Sequence, residues 1–227
     1  MHRRLTAVIG TAAVALCALL GSAAPAHAAS ACRVSDFSPH SVTVGLSARK
    51  VGFALRTSGC VAGNWTLESD SFFVYDEAPS EVFWASENLI NDEAGAHDAV
   101  ATAFDAEDDE VKTVFPKGWS LRKATYWSAV DASPEPVKKG SLLRITGTLH
   151  VADWDADRYV GYKGRLVAVQ FRTPTGTYTN AKLVTTGSGG KVSTTVTARA
   201  TGVWRLSYGG RSTAAGSNST GDAVTVK

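Results

Sequence analysis

The stretch Leu143-Arg144-Ile145-Thr146-Gly147-Thr148-Leu149-His150-Val151 decides how this chain is to be read. Leu143, Ile145, Gly147, Leu149 and Val151 fall on one side of an extended backbone. Arg144, Thr146, Thr148 and His150 fall on the other, which is the period of two that marks a half-buried strand. The same alternation returns at Val167, Val169 and Phe171, at Val192, Thr194 and Val196, at Trp204, Leu206 and Tyr208, and at Val224 and Val226. Turn signals separate these runs: Thr175-Gly176, Gly187-Ser188-Gly189-Gly190 and Gly209-Gly210. Short strands at this spacing, with no helical pattern between them, predict an antiparallel sandwich.

Upstream the pattern is looser but of the same kind. Val51, Phe53 and Leu55 alternate, and Phe72-Phe73-Val74-Tyr75 and Val82-Phe83-Trp84 are β-prone aromatic runs. Segment 94–106 is open to two readings, helical from its alanines or extended from the alternation of Val100, Thr102 and Phe104. Pro39 to Leu55 and Pro136 to Leu149 each set a Pro, a Val and a Gly before a first long strand, a parallel that hints at two related units.

The first residues carry an address. Arg3 and Arg4 precede an almost wholly apolar run from Leu5 to Leu20, and small residues lead to Ala26-His27-Ala28. That order predicts a secretory signal peptide over residues 1–28, cleaved after Ala28. The run is shorter than the ~20 apolar residues a membrane-spanning helix needs, and no later stretch is long enough, so no transmembrane segment is expected. Beyond the signal only Cys32 and Cys60 remain. A pair of cysteines in an exported chain predicts one disulfide, Cys32–Cys60, worth ~3 kcal/mol by loop closure.

Charge divides the rest. Fourteen acidic residues and no Lys or Arg lie between Glu68 and Glu110. Residues 29–132 hold 8 basic and 16 acidic side chains, whereas 133–227 hold 13 basic and 5 acidic. The sign changes at Asp131-Ala132-Ser133-Pro134-Glu135-Pro136, a Pro-containing segment that reads as a linker. The expectation is an acidic sandwich over 29–132 and a basic sandwich over 133–227.

Several motifs of the second half form a familiar set. They are Pro134-Glu135-Pro136-Val137-Lys138-Lys139-Gly140, Thr146-Gly147-Thr148-Leu149, Trp154, Gly164, Val169-Gln170-Phe171-Arg172, Gly202-Val203-Trp204-Arg205 and Asp222-Ala223-Val224-Thr225-Val226. Together they resemble a C-terminal immunoglobulin-like module of secreted actinomycete proteins of uncharacterised function, sometimes labelled calcium-binding. The resemblance covers 133–227 well and 29–132 loosely. It implies an immunoglobulin-like sandwich and export, and it supplies no catalytic residues.

Asp153-Trp154-Asp155-Ala156-Asp157 is the sharpest local motif. Its alternating carboxylates resemble the opening of an EF-hand calcium loop, but Arg158 stands where that loop needs Gly and Gly164 where it needs Glu. Asp153, Asp155 and Asp157 are therefore weak calcium candidates, weighed against a solvated loop with Trp154 packed inward, and no metal site or cofactor is assigned. Glu107-Asp108-Asp109-Glu110 reads as a solvated hairpin tip. His40, His97 and His150 accompany no Gly-x-Ser-x-Gly elbow and no His-Glu-x-x-His helix. The basic residues are dispersed, among them Lys138, Lys139, Arg158, Lys163, Arg165, Arg199 and Arg211, so no specific nucleic-acid reader is expected.

The chain thus reads as all-β, two tandem immunoglobulin-like antiparallel β-sandwich domains after a cleaved signal peptide. The expected role is a secreted, extracellular, non-enzymatic binding protein at or near the cell envelope, with an anionic envelope polymer or another protein as partner. Two rivals stand beside it: a secreted hydrolase using carboxylates of the first half, and a calcium-dependent binding protein. No catalytic residue is nominated.

Overall fold

The computed structural model describes residues 32–68 and 73–227. The signal segment 1–28 and Phe72 lie outside the described residues. Eight strands make the first sandwich: β1 (Arg33–Ser38), β2 (Ser41–Val44), β3 (Arg49–Ser58), β4 (Ala62–Glu68), β5 (Phe73–Glu77), β6 (Ser80–Trp84), β7 (Gly95–Phe104) and β8 (Glu110–Lys123). One sheet has the order β1-β3-β6 and the other β2-β8-β7-β4-β5. The first strand of the fold is divided between the sheets. β1 pairs antiparallel with β3, and past Pro39 β2 runs parallel to β8 in the opposite sheet.

Nine strands make the second sandwich: β9 (Thr125–Ser133), β10 (Leu142–Asp153), β11 (Arg158–Gly161), β12 (Leu166–Arg172), β13 (Thr179–Thr185), β14 (Lys191–Thr197), β15 (Gly202–Tyr208), β16 (Ser217–Asn218) and β17 (Asp222–Val224). β9, β14 and β11 pair with β10 in one sheet; the other has the order β13-β12-β15, with β16 and β17 both on β15. The division of the first strand is repeated. β9 pairs with β10, and past Pro134 and Pro136 a parallel bridge joins Val137 to Val226 on the opposite side. Both units are immunoglobulin-like sandwiches, and the Pro-Val-Gly parallel in the sequence marks the strand that changes sheets in each.

This pairing moves the expected domain boundary. The segment Asp131–Pro136 is not a linker between sandwiches, because β9 is hydrogen-bonded to β10 from Thr125 to Ser133. It sits inside the second sandwich, where the first strand crosses over. The chain passes between sandwiches at Ala124 alone, so residues 125–132 belong to the second sandwich and not to the first.

The alternation of β10 buries the predicted side: Leu143, Ile145, Leu149 and Val151 pack with Val167, Val169, Val192 and Leu206. Segment 94–106 resolves as strand β7, but with the opposite face inward. Ala99, Ala101 and Ala103 are fully buried, while Val100, Thr102 and Phe104 face outward. Small side chains fit at Ala101 and Ala103 because Cys32, Val34 and Leu55 pack against them, while Ala99 joins the main core of the unit. The predicted disulfide is present, joining Cys32 to Cys60 across the start of β1 and the β3–β4 turn. The Gly187–Gly190 turn is set by close packing. Gly190 has φ +75°, and a Cβ there would stand 2.1 Å from the Leu149 carbonyl oxygen.

Candidate functional site

The Asp153–Asp157 motif forms the turn between β10 and β11, and it leaves its own sandwich. Trp154 is 3% exposed and packs among Trp84, Leu89, Trp119 and Leu121 in the core of the first unit. Its indole Nε1–H donates to the Val44 carbonyl at 3.3 Å. The carboxylates converge on that unit with it. Asn91 Nδ2 donates to Asp153 Oδ1 at 2.6 Å and to Asp155 Oδ2 at 2.8 Å, and the Asn91 backbone N–H donates to Asp155 Oδ1 at 3.1 Å. Asn91 Oδ1 accepts from the Trp154 backbone N–H at 3.1 Å and from Lys123 Nζ at 3.2 Å. Ser86 Oγ donates to Asp157 Oδ1 at 3.4 Å. The hydrogen bond from Asn91 holds the Asp153 carboxyl below its usual range, helped by the Ala156 N–H and the charges of Lys123 and Arg158, and burial opposes the shift.

The motif is a clasp between sandwiches. Asp153, Asp155 and Asp157, the weak calcium candidates, accept from an amide, a hydroxyl and backbone N–H groups. Among the described residues no three His, Cys, Asp or Glu side chains converge to hold a metal ion. The clasp is reinforced at the chain crossing. The Ala124 N–H donates to the Val44 carbonyl and the Ala124 carbonyl accepts from the Ala152 N–H, so one residue is bonded to both units. Asn91 and Ser86, which complete the clasp, carry no signal of this role in the sequence. Each is an ordinary polar residue whose partner lies over sixty positions away.

Three of the six acids of the second sandwich are engaged at the clasp, and Asp131, Glu135 and Asp222 lie together where the first strand crosses between the sheets. Residues 158–221 contain nine Lys and Arg and no Asp or Glu. Lys50 pairs with Glu81 in the first sandwich, where His40 Nε2 also lies 3.4 Å from Asp36 Oδ1. Among the described residues no Lys or Arg of the second sandwich has a carboxylate within 4.0 Å. On the outer face of β12 and β15, Arg205 Nε donates to Gln170 Oε1 at 2.8 Å, and Gln170 Nε2 donates to Asn180 Oδ1 at 2.8 Å. The Arg205 guanidinium lies 3.7 Å from the Tyr178 ring centre, with Arg172 at 5.3 Å. These charges are ordered without being cancelled. The acid-free run 158–221 is the sequence signal that marks this surface.

The first half offers a different picture. Two of its concavities, about 280 and 220 Å³, are lined respectively by Leu55, Thr57, Cys60 and Pro79 and by Val74, Val82, Phe83, Trp84, Asn88 and Leu89 with their neighbours, and no carboxylate lines either. The Glu107–Glu110 cluster sits where expected, at the β7–β8 turn, with Asp105 Oδ1 accepting the backbone N–H of Glu107 and Asp109. His97 Nε2 bonds the Glu93 carbonyl, and His150 Nε2 bonds Ser128 Oγ.

No family model matches the chain, and no curated protein does. Among solved structures it is similar to the D00-D0 domain of Intimin, at 13% identity over 83% of this chain and 98% of that one, TM-score 0.31. It is similar also to the fibronectin(III)-like modules of CbhA from Clostridium thermocellum, at 13% identity over 86% and 92%, TM-score 0.34. A third is a 1.5-MDa bacterial ice-binding adhesin, at 12% identity over 87% and 65%, TM-score 0.30. The fold of this chain stands on its own strand pairing, and nothing about its chemistry follows from these similarities.

Proposed function

We propose that this is a secreted, non-enzymatic binding protein acting at or near the cell envelope, in which a clasped pair of sandwiches presents the basic second unit to an anionic polymer. One observation carries this reading: the run 158–221 holds nine Lys and Arg and no Asp or Glu, and among the described residues none of its cations has a carboxylate partner. Unpaired cations on one surface raise the local concentration of a polyanion and speed its encounter, and salt screens the effect. The clasp supports the same reading. It consumes Asp153, Asp155 and Asp157 at the joint and ties the acidic unit to one end, so the cationic sheet faces stay open. Export is supported by the segment 1–28 and by the Cys32–Cys60 bridge, a bond that persists in oxidising surroundings.

The test is equilibrium binding of the mature full chain to dextran sulfate, with uncharged dextran as control. Binding is expected at ~20 mM salt and is expected to weaken about tenfold or more by ~150 mM, where the screening length is ~8 Å. Equal binding to both dextrans, or binding indifferent to salt, overturns the proposal.

A further inference from the structure

Resting on that reading of the basic unit, we infer that the groove between β13 and β14 is a binding site for an acidic sugar residue, and that the anionic polymer is a uronate-bearing polysaccharide. β13 is the free edge of one sheet and β14 the free edge of the other, and the two edges face each other across a cleft of about 420 Å³. That volume lies within the range of small-ligand sites, ~300–1,000 Å³.

Two kinds of group meet in the groove. Its floor is the half-buried Phe171 ring, backed by the buried Trp204 with ring centres 4.8 Å apart. Thr179, Thr195 and Thr197 complete its lining. Lys182 and Arg199 supply two cations, both exposed and neither paired with a carboxylate. Lys182 is already drawn over the cleft, where its Nζ donates to the Thr195 carbonyl at 3.1 Å. Trp204 adds a further asymmetry, since its buried indole N–H has no acceptor among the described residues.

This set discriminates between polyanions. A polyphosphate chain offers cations their charge but has no ring face for an aromatic floor. A uronate residue carries a carboxylate for Lys182 and Arg199 and an apolar ring face of C–H groups for Phe171. The outer face around Arg205 and Tyr178 lacks this combination, because the Tyr178 ring is already covered by guanidinium.

The experiment uses the mature full chain with polygalacturonate, its methyl ester and polyphosphate at about 100 mM salt, each measured by calorimetry. Polygalacturonate is expected to bind and the ester to bind at least tenfold more weakly, the scale of one lost charge-assisted contact. Lys182→Met with Arg199→Met is expected to weaken polygalacturonate by about tenfold or more. Lys112→Met, in β8 of the first sandwich, is expected to change it less than about twofold. These side chains are exposed, and an unchanged melting temperature confirms that each variant folds. Polygalacturonate binding indifferent to the groove variants overturns the site. Polyphosphate binding that exceeds polygalacturonate and depends on Lys182 and Arg199 overturns the sugar assignment. Binding of dextran sulfate without polygalacturonate overturns this inference alone, and binding of neither overturns the basic-surface reading beneath it.

Discussion

Replacing Trp154 with Ala tests whether the second sandwich completes the core of the first. Trp154 belongs to the β10–β11 turn, yet its neighbours are Trp84, Leu89, Trp119 and Leu121 of the first unit. It is 3% exposed, and truncating a buried Trp or Phe to Ala costs ~3–5 kcal/mol when the surroundings cannot collapse. The walls here are strands fixed by pairing of β2, β8 and β7, so the cavity should persist. The lost bond to the Val44 carbonyl is contained in that figure. For a chain of this size ~1 kcal/mol corresponds to ~2–4 °C, so calorimetry should show the melting temperature of the first unit falling by roughly 10 °C. Hydrogen exchange then locates the damage. The amides of Ala124 and Ala152, which bridge the units, should lose protection. Those of Val169 and Leu206, deep in the second core, should keep theirs. A loss under ~1 kcal/mol, or faster exchange at Val169 and Leu206 with the bridging amides unchanged, would refute the clasp.

Two further outcomes follow from the same geometry. Cys32→Ser with Cys60→Ser removes a bridge spanning 28 positions, and urea unfolding should show ~3 kcal/mol less stability; an unchanged midpoint contradicts the bridge's role. The lowered Asp153 carboxyl gives the clasp a pH dependence of known sign. Its folded pKa lies below the unfolded value of ~3.9, so its contribution is present at neutral pH and is lost as pH falls below ~4. The melting-temperature gap between the wild type and Asp153→Asn should therefore be open at pH ~6 and close toward pH ~3. A gap that persists at low pH would assign the effect of that substitution to something other than charge.

What the sequence determined by itself is local and periodic. The strands β10, β12 and β15 are legible because an alternating apolar row has one way to be buried on a sheet, and burial followed the pattern at Leu143, Ile145, Val167, Val169, Trp204 and Leu206. The Cys32–Cys60 bridge was legible because two cysteines leave one pairing, and the acidic tip at Glu107–Glu110 because like charges avoid burial. The tertiary structure decided what depends on distant partners. Which face of β7 turns inward was set by Cys32, Val34 and Leu55 packing against Ala101 and Ala103, against the larger Val100 and Phe104. The boundary at Ala124 was set by the pairing of β9 with β10, a register that the prolines of 134–136 conceal because a sheet-crossing strand and a linker use the same residues. The meaning of Asp153-Trp154-Asp155-Ala156-Asp157 was set by Asn91, sixty-two positions before Asp153. A carboxylate's spacing along the chain records what it could hold, and only folding brings the donor that it does hold.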